Sequence, residues 1–251
     1  MGFTSTFTRI LKLFGFAAVP LANGAVYDSD GLISIHDHDF LNDPDFQAAY
    51  SRGISAAGDY KWHWRIHIGL WAAATAVKLE GDFVECGVNR GFMSSAIMKR
   101  LNWDSTGKTF YLLDTFEGIN THERSDDEED RRNRKQLDDG FYVTDLKSVK
   151  RNFAEWENVK IIQGTVPETL GMIAAEKIAF LHLDMNAAAP EVAAFEYLWE
   201  RISIGGIVLL DDYAYHGYSK QKLAMDRAAK DRDVPIASLP TGQGLIVKTG
   251  S

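Results

Sequence analysis

One short run, Gly81–Gly91 (GDFVECGVNRG), constrains the fold of this chain more than any other stretch. The apolar residues Phe83 and Val84 form the core of a predicted strand, which ends in Glu85 and a glycine-bearing turn. A helix-like segment, 92–101, follows at once. This order builds a ligand-binding edge in α/β sheets, because glycine lets main chain approach a ligand and the helix begins with free N–H groups. Such turns also occur without a ligand, so this turn predicts a ligand site only together with the later strands and the residues that follow them.

From Gly81 onward, strand-like and helix-like segments alternate. Strands are predicted over 83–87, 109–114, 159–163, 178–184 and 206–211, and helices over 93–101, 145–156, 167–175, 190–201 and 220–231. Short strands joined by helices are typical of a parallel sheet with helices on both faces. Two last runs, 235–239 and 245–248, are joined by a short turn and predict an antiparallel hairpin. The predicted fold class is therefore α/β, with a doubly wound, mostly parallel seven-stranded sheet ending in an antiparallel hairpin.

The region before Gly81 has a different character. We predict an N-terminal arm and helical cap over 1–80 and a cofactor-binding domain over 81–251. The segment 14–22 has some features of a signal peptide, but Pro20 and its short apolar length favour an amphipathic docking helix or a disordered start. No apolar run reaches the roughly 18 residues of a membrane span. An exposed arm also favours contacts between copies, which makes a homo-oligomer through the arm a further hypothesis.

Composition argues against several classes of function. The 27 basic and 35 acidic residues give a net charge of −8, whereas nucleic-acid binding usually requires a basic face. The single cysteine, Cys86, excludes an internal disulfide and a cysteine-built zinc site, and it is compatible with a reducing compartment. We therefore predict a cytoplasmic protein with neither nucleic acid nor membrane as partner.

The segment 122–140 interrupts the alternation and is dense in Asp, Glu and Arg. Its composition favours a solvated, mobile loop. Its position after the second predicted strand, at the ligand edge of the sheet, favours a lid. The two interpretations are compatible with each other.

Acidic side chains follow four of the predicted parallel strands, namely Glu85, Asp114, Asp184 and the pair Asp211–Asp212. Because the carboxyl ends of parallel strands share one edge, these groups repel one another unless cations or hydroxyl donors compensate them. That requirement predicts a ligand site. Asp114 suits a ribose diol, and Asp184, Asp211 and Asp212 suit Mg²⁺ or a similar cation. The alternative for the latter three is capping or ion pairing.

Five motifs resemble one known family. They are Glu85–Val88, Leu113–Gly118, Leu183–Asp184, Gly205–Val208 with Asp211–Tyr213, and Gly242–Gly244. In this order they resemble the macrocin O-methyltransferase family, whose members are class I S-adenosylmethionine-dependent enzymes that methylate sugar hydroxyls on natural products, usually with Mg²⁺. The final hairpin likewise favours the class I methyltransferase fold over a nicotinamide-binding one. The resemblance runs from about 81 to 248 and is loose before that.

The resemblance implies an S-adenosylmethionine-dependent O-methyltransferase, with Mg²⁺ as a second cofactor and a hydroxylated small molecule, a sugar or glycoside, as the acceptor. It implies that Asp184, Asp211 and Asp212 hold the metal. The predicted cofactor-binding residues are Glu85, Gly87, Asn89, Gly91, Asp114, Thr115, Thr165 and Asp184. Thr165, with Glu168, would flank the adenine, although a helix cap explains that pair equally well. A cofactor-binding protein without catalysis and a nicotinamide-dependent oxidoreductase are the alternatives.

The chain departs from the family after the fourth predicted strand. Family members carry Asp-x-Asp followed by Tyr and Thr, with the second Asp as general base, whereas this chain has Asp184-Met185-Asn186 followed by three alanines. An amide orients a hydroxyl but does not accept its proton at neutral pH. Either the base has moved, or the metal alone acidifies the hydroxyl, or transfer is lost. The predicted catalytic set is His216, Asp184 and Asn186, with His182 a weaker candidate, and the alanines predict a changed or larger acceptor.

Overall fold

The computed structural model describes residues 11, 13, 26–118, 140–215 and 217–250. The chain divides into two compact units, 1–39 and 40–251. In the first unit, Tyr27–Ser29 (β1) and Leu32–Ser34 (β2) form an antiparallel pair. The segment 14–22 and the acidic segment 122–140, apart from Gly140, lie outside the described residues. The docking helix and the lid therefore stay predictions.

The second unit contains a seven-stranded sheet with the order β5-β4-β3-β6-β7-β9-β8. Strands β3 to β7 run parallel, and β9 runs antiparallel to both β7 and β8. This topology confirms the predicted doubly wound sheet with a final antiparallel hairpin. The strands are Asp82–Cys86 (β3), Phe110–Asp114 (β4), Val159–Gln163 (β5), Ile178–Leu183 (β6), Ile202–Leu210 (β7), Ala237–Ser238 (β8) and Gly244–Val247 (β9).

Helices cover both faces of this sheet. Successive residues of a strand point to opposite faces, so Phe83 of β3 belongs to one buried apolar cluster and Val84 to another. Within the described residues the α-helices are Pro44–Ala57 (α1), His63–Ala76 (α2), Phe92–Leu101 (α3), Leu146–Asn152 (α4), Ala188–Leu198 (α5) and Ser219–Lys230 (α6). No helix in this part of the chain is long and apolar enough to cross a membrane.

The first of these helices starts with a sequence signal that is easily recognised. Pro44 occupies the first turn of α1, and the carboxylate of Asp43 accepts a hydrogen bond from the Asp45 amide. A carboxylate cap and an N-terminal proline both stabilise a helix start. Helices α1 and α2 pack with α3 in one apolar cluster, which fixes the predicted helical cap against the sheet.

Two helix predictions need correction. The α-helix predicted over 167–175 is wrong, because the chain forms turns and then a short 3₁₀ helix, Leu170–Met172. Thr169 and Gly171 have low helix propensity, and Ile173 is already extended. The helix predicted over 145–156 ends at Asn152, and the residues up to Trp156 follow as turns.

The strand order reverses at β3, which has β4 on one side and β6 on the other. In open parallel sheets this reversal opens a crevice beyond the carboxyl ends of the two strands, and ligands bind there. The turns after β3, β4, β6 and β7 therefore surround the candidate site.

Candidate functional site

The turn after β3 is built from left-handed backbone. Gly87, Asn89 and Gly91 have φ angles of 89°, 49° and 84°. A Cβ atom on Gly87 would lie 1.9 Å from the carbonyl oxygen of Asp184, and one on Gly91 would lie 2.4 Å from Cζ of Phe153. The two glycines are thus required by close packing within the protein itself. At Gly87 this packing brings the turn directly against the end of β6.

Asp114, at the end of β4, fixes that turn. Its Oδ2 accepts hydrogen bonds of 2.8 Å from the amides of Val88 and Asn89, and its Oδ1 accepts one of 2.8 Å from the amide of Phe116. The neighbouring Thr115 hydroxyl donates to the carbonyl of Gly118 at 2.9 Å. A carboxylate accepts about four hydrogen bonds, so Asp114 has capacity for one more donor. The predicted anchor therefore has a structural role as well.

Glu85 is buried at the end of β3, with 2% of its surface exposed. Its Oε1 lies 2.9 Å from Nδ1 of His182 on β6. Its Oε2 has no hydrogen-bond partner among the described residues. Because buried carboxylate oxygens are normally paired, this atom is a free acceptor that suits an ammonium or hydroxyl donor from a ligand.

The acids that follow β7 form ion pairs with an arginine from the helical cap. Arg65 of α2, 4% exposed, donates through Nη1 to Oδ2 of Asp211 at 2.5 Å and lies 3.2 Å from Oδ1 of Asp212. The same nitrogen donates to the carbonyl of Asp211 at 2.9 Å. Gln243, from the turn before β9, donates to Oδ1 of Asp211 at 2.9 Å. Both carboxylate oxygens of Asp211 are therefore occupied, and the pKa of this group is lowered despite its burial.

His182 provides a second internal cation. Burial alone would lower the pKa of His182, but the flanking carboxylates of Asp211 and Glu85 outweigh that effect and raise it to about 10. The imidazole is therefore protonated at neutral pH, with Nε2 3.6 Å from Oδ1 of Asp211. His182 points into the packed interior, where it is 1% exposed.

Asp184 lies between these groups. Its partial burial and the carboxylates of Asp211 and Asp212 raise its pKa well above the usual range, although His182 and Arg65 partly oppose the shift. His182, Asp184 and Asp211 can each offer one ligand atom within 4.8 Å of the others. Of these three groups, Asp211 already accepts hydrogen bonds on both of its carboxylate oxygens.

Glu191 of α5 holds the turn that contains Asn186. Its Oε1 accepts a hydrogen bond of 3.0 Å from the Met185 amide, and its Oε2 accepts one of 2.6 Å from Nε2 of Gln221. Asn186 itself is left-handed, with φ of 58°. Burial raises the pKa of Glu191 to about 8, although these hydrogen bonds oppose the shift. A buried, largely protonated acid thus positions the segment where the family has its base.

The structure brings most of the predicted site residues together, but not all of them. Thr165 follows β5 and donates to Oε2 of Glu168 at 2.8 Å, but no α-helix begins there for this pair to cap. The predicted base His216 lies outside the described residues. Sequence reasoning missed Arg65, Gln243 and Glu191. For Arg65 the available signal was a charged residue inside a largely apolar helix, which requires a buried partner.

The chain is similar in sequence to a family of known methyltransferases. The family model of macrocin-O-methyltransferase (TylF) matches residues 70–241, more than half of the chain. The 8-demethyl-8-(2,3-dimethoxy-alpha-L-rhamnosyl)-tetracenomycin-C 4'-O-methyltransferase of Streptomyces olivaceus is 31% identical over 142 residues, which are 53% of this chain and 53% of that protein. The mycinamicin III 3''-O-methyltransferase of Micromonospora griseorubida is 25% identical over 169 residues, 59% of this chain and 66% of that protein.

The chain thus spans between half and two thirds of the length of these relatives. Among solved structures, the O-methyltransferase NovP superposes with a TM-score of 0.65 at 18% identity, over 85% of this chain and 100% of that one. This similarity confirms the class I methyltransferase fold. With the family model matched across both the glycine turn and the strand-end acids, the chain belongs to the macrocin O-methyltransferase family.

Proposed function

We propose that this chain is an S-adenosylmethionine-dependent O-methyltransferase whose acceptor is a hydroxyl of a sugar or glycosylated small molecule. The family match over residues 70–241 is the observation that carries the proposal. The position of the glycine turn and the acids at the sheet reversal supports it, as do relatives named as 4'-O- and 3''-O-methyltransferases. Cytoplasmic localisation stays a prediction.

The residues at the reversal fit the cofactor. We assign the free Oε2 of Glu85 to the amino group of the methionine moiety, because it is a buried acceptor in need of a donor. We assign the remaining acceptor capacity of Asp114 to the ribose. The turn through Gly87 and Gly91 would hold the rest of the methionine end. S-adenosylmethionine supplies an electrophilic methyl group on a sulfonium, and the protein supplies alignment.

Removal of the hydroxyl proton is assigned to Asp184. A carboxyl group with a raised pKa is a stronger proton acceptor than an ordinary one, and the pKa of Asp184 is raised by burial and by Asp211 and Asp212. Asn186, two residues later, orients the hydroxyl through its amide. Because the base must be ionised, the rate should increase as pH rises through this pKa. His216 stays the alternative base.

The predicted Mg²⁺ site does not fit the groups present. Both oxygens of Asp211 accept hydrogen bonds, and Arg65 already supplies positive charge to Asp211 and Asp212. Mg²⁺ requires several free oxygen ligands in near-octahedral geometry. Methyl transfer and proton removal are therefore assigned to the cofactor and to residues of the chain, with no step that uses a metal.

Asp114→Ala tests the cofactor assignment. We expect it to weaken binding of S-adenosylhomocysteine by about a hundredfold, because it removes the ribose acceptor and the three amide bonds that shape the turn. Isothermal titration calorimetry measures this. Asp145→Ala is the control, since Asp145 is an exposed cap of α4 with one amide bond. Equal affinity in parent and Asp114→Ala would contradict the assignment, and no uptake by the parent would end the proposed function.

A cofactor-binding protein without transfer is the second candidate, and Asn186 favours it. Asn186→Asp restores the family's base, and aspartate tolerates the left-handed backbone. We expect the rate of methyl transfer to a methyl rhamnoside to increase about 10–100-fold over the parent. Asn102→Asp, also left-handed but at the exposed end of α3, should leave the rate unchanged. If parent and variant bind S-adenosylhomocysteine yet both leave a range of glycosides unmethylated, the second candidate is favoured.

A further inference from the structure

We propose that Arg65 takes the place of a divalent cation in this site, so that the chain holds its strand-end carboxylates and binds its cofactor without a metal ion. The inference deepens the proposed function and rests on it only where cofactor binding is measured. The family resemblance implies Mg²⁺ at this site, whereas the inference assigns its charge to Arg65, which is not one of the predicted catalytic residues.

Arg65 contacts the strand-end acids through several oxygen atoms at once, as a bound metal ion would. One nitrogen, Nη1, contacts a carboxylate oxygen of Asp211, a carboxylate oxygen of Asp212 and the carbonyl of Asp211. The guanidinium also lies 5.7 Å from the ring centre of Trp62 and 5.3 Å from that of Tyr215. Guanidinium groups stack favourably on aromatic rings. Helix, carboxylates and rings together fix the position of the charge.

A divalent ion bound to Asp211 would have to displace this arrangement. Mg²⁺ binds oxygen at about 2.0–2.1 Å, and Nη1 of Arg65 is 2.5 Å from Oδ2 of Asp211. An ion on that oxygen would therefore lie within about 5 Å of the guanidinium, where like charges repel strongly in a buried site. Binding on the other oxygen would disturb the bond from Gln243, whose side chain is fully buried.

The main chain of α2 is tied to the same network. Gln243 approaches the Arg65 carbonyl at 3.5 Å while it donates to Asp211, and the Thr241 hydroxyl donates to Oε1 of Gln243 at 2.9 Å. Movement of Arg65 away from the acids would thus disturb the final hairpin as well. The arginine is part of the fold and not a surface side chain that closes over an empty site.

The test measures metal binding directly on the full-length chain. Mn²⁺ is titrated into chelator-treated protein and followed by electron paramagnetic resonance of the free ion, and S-adenosylhomocysteine affinity is measured with and without EDTA. We expect no saturable Mn²⁺ uptake by the parent into the millimolar range and an S-adenosylhomocysteine affinity that EDTA leaves unchanged. In Arg65→Gln, the uncompensated carboxylates should give saturable Mn²⁺ uptake, with an apparent Kd about a hundredfold below the highest Mn²⁺ concentration at which the parent shows none.

Arg201→Gln is the matched control, because Arg201 is a partly buried arginine that donates to the carbonyls of Ile173 and Ala175. It should leave Mn²⁺ uptake at the parent level. Saturable one-to-one uptake of Mn²⁺ by the parent anywhere below the millimolar range, EDTA-sensitive cofactor binding, or an Arg65→Gln protein that gains no uptake would each overturn the inference. If Arg65→Gln does not fold, the parent titration decides alone. Absence of S-adenosylhomocysteine binding under every condition contradicts the proposed function instead.

Discussion

Replacing Glu191 with glutamine is expected to raise the free energy of unfolding at pH near 8 by up to about 4 kcal/mol. The pKa of Glu191 is raised from 4.5 to about 8 in the folded protein. As pH rises above about 4.5, the unfolded chain loses this proton while the folded chain keeps it. The parent therefore loses stability progressively up to pH near 8, and the loss is complete above that value.

Glutamine can keep two hydrogen bonds at this position. Its oxygen can accept from the Met185 amide, as Oε1 of Glu191 does. The bond that Oε2 of Glu191 accepts from Nε2 of Gln221 is lost, but once the Gln221 amide turns over, the new amide group can donate to Oε1 of Gln221, which has no partner among the described residues. The variant thus retains the shape of the site and removes the ionisation that weakens the parent at higher pH.

Urea unfolding at several pH values checks this prediction. The difference between Glu191→Gln and the parent should be small near pH 4 and should grow towards pH 8. Glu196→Gln, on the same helix but half-exposed and 3.6 Å from Arg232, is the control. Its effect should stay within about 0.5 kcal/mol. If the free energy of unfolding changes with pH in the same way for the parent and for Glu191→Gln, Glu191 is not the cause of the pH dependence of stability.

Arg65→Gln is expected to lower the free energy of unfolding by about 3–5 kcal/mol, because it leaves buried carboxylate charge without its partner. Asp211 is 4% exposed, and among the described residues it would retain the amide of Gln243 and the imidazole of His182 as neighbours that stabilise its charge. Adding Asp211→Asn in the same chain should recover part of the loss, since the uncompensated charge is then gone.

Equilibrium unfolding of the parent, the two single variants and the double variant gives the coupling between these residues. Arg201→Gln again serves as the comparison, because it removes an arginine that contacts carbonyls and not carboxylates. A loss below about 1 kcal/mol for Arg65→Gln, or strictly additive effects in the double variant, would show that the pair is not the strong buried contact described above.

The strands of the sheet could be predicted because each is recognisable from a few neighbouring residues. Each strand is a short apolar run between turn residues, and a short turn before β9 leaves room only for a hairpin. The error at 167–175 arose where apolar spacing suggested a helix but Thr169 and Gly171 did not sustain it. Helix bounds depend on such details, whereas the order of elements does not.

The site could be predicted in part for a topological reason. Parallel strand ends share one edge, so Glu85 and Asp184 could be placed together from sequence. Their partners could not, because Arg65 is 146 residues from Asp211 and meets it only through packing of the cap. The acids at this edge require compensating charge, and the sequence pattern predicted that a bound metal ion supplies it. The structure supplies that charge from α2 and β6.

The last strand pair limits how copies of this molecule can associate. Strand β8 forms one edge of the sheet and contains only two residues, Ala237 and Ser238, both exposed. A long open edge offers a row of unpaired amides and carbonyls on which another chain can add a strand. Here β8 itself offers only a short row of this kind, which disfavours the addition of another strand along it.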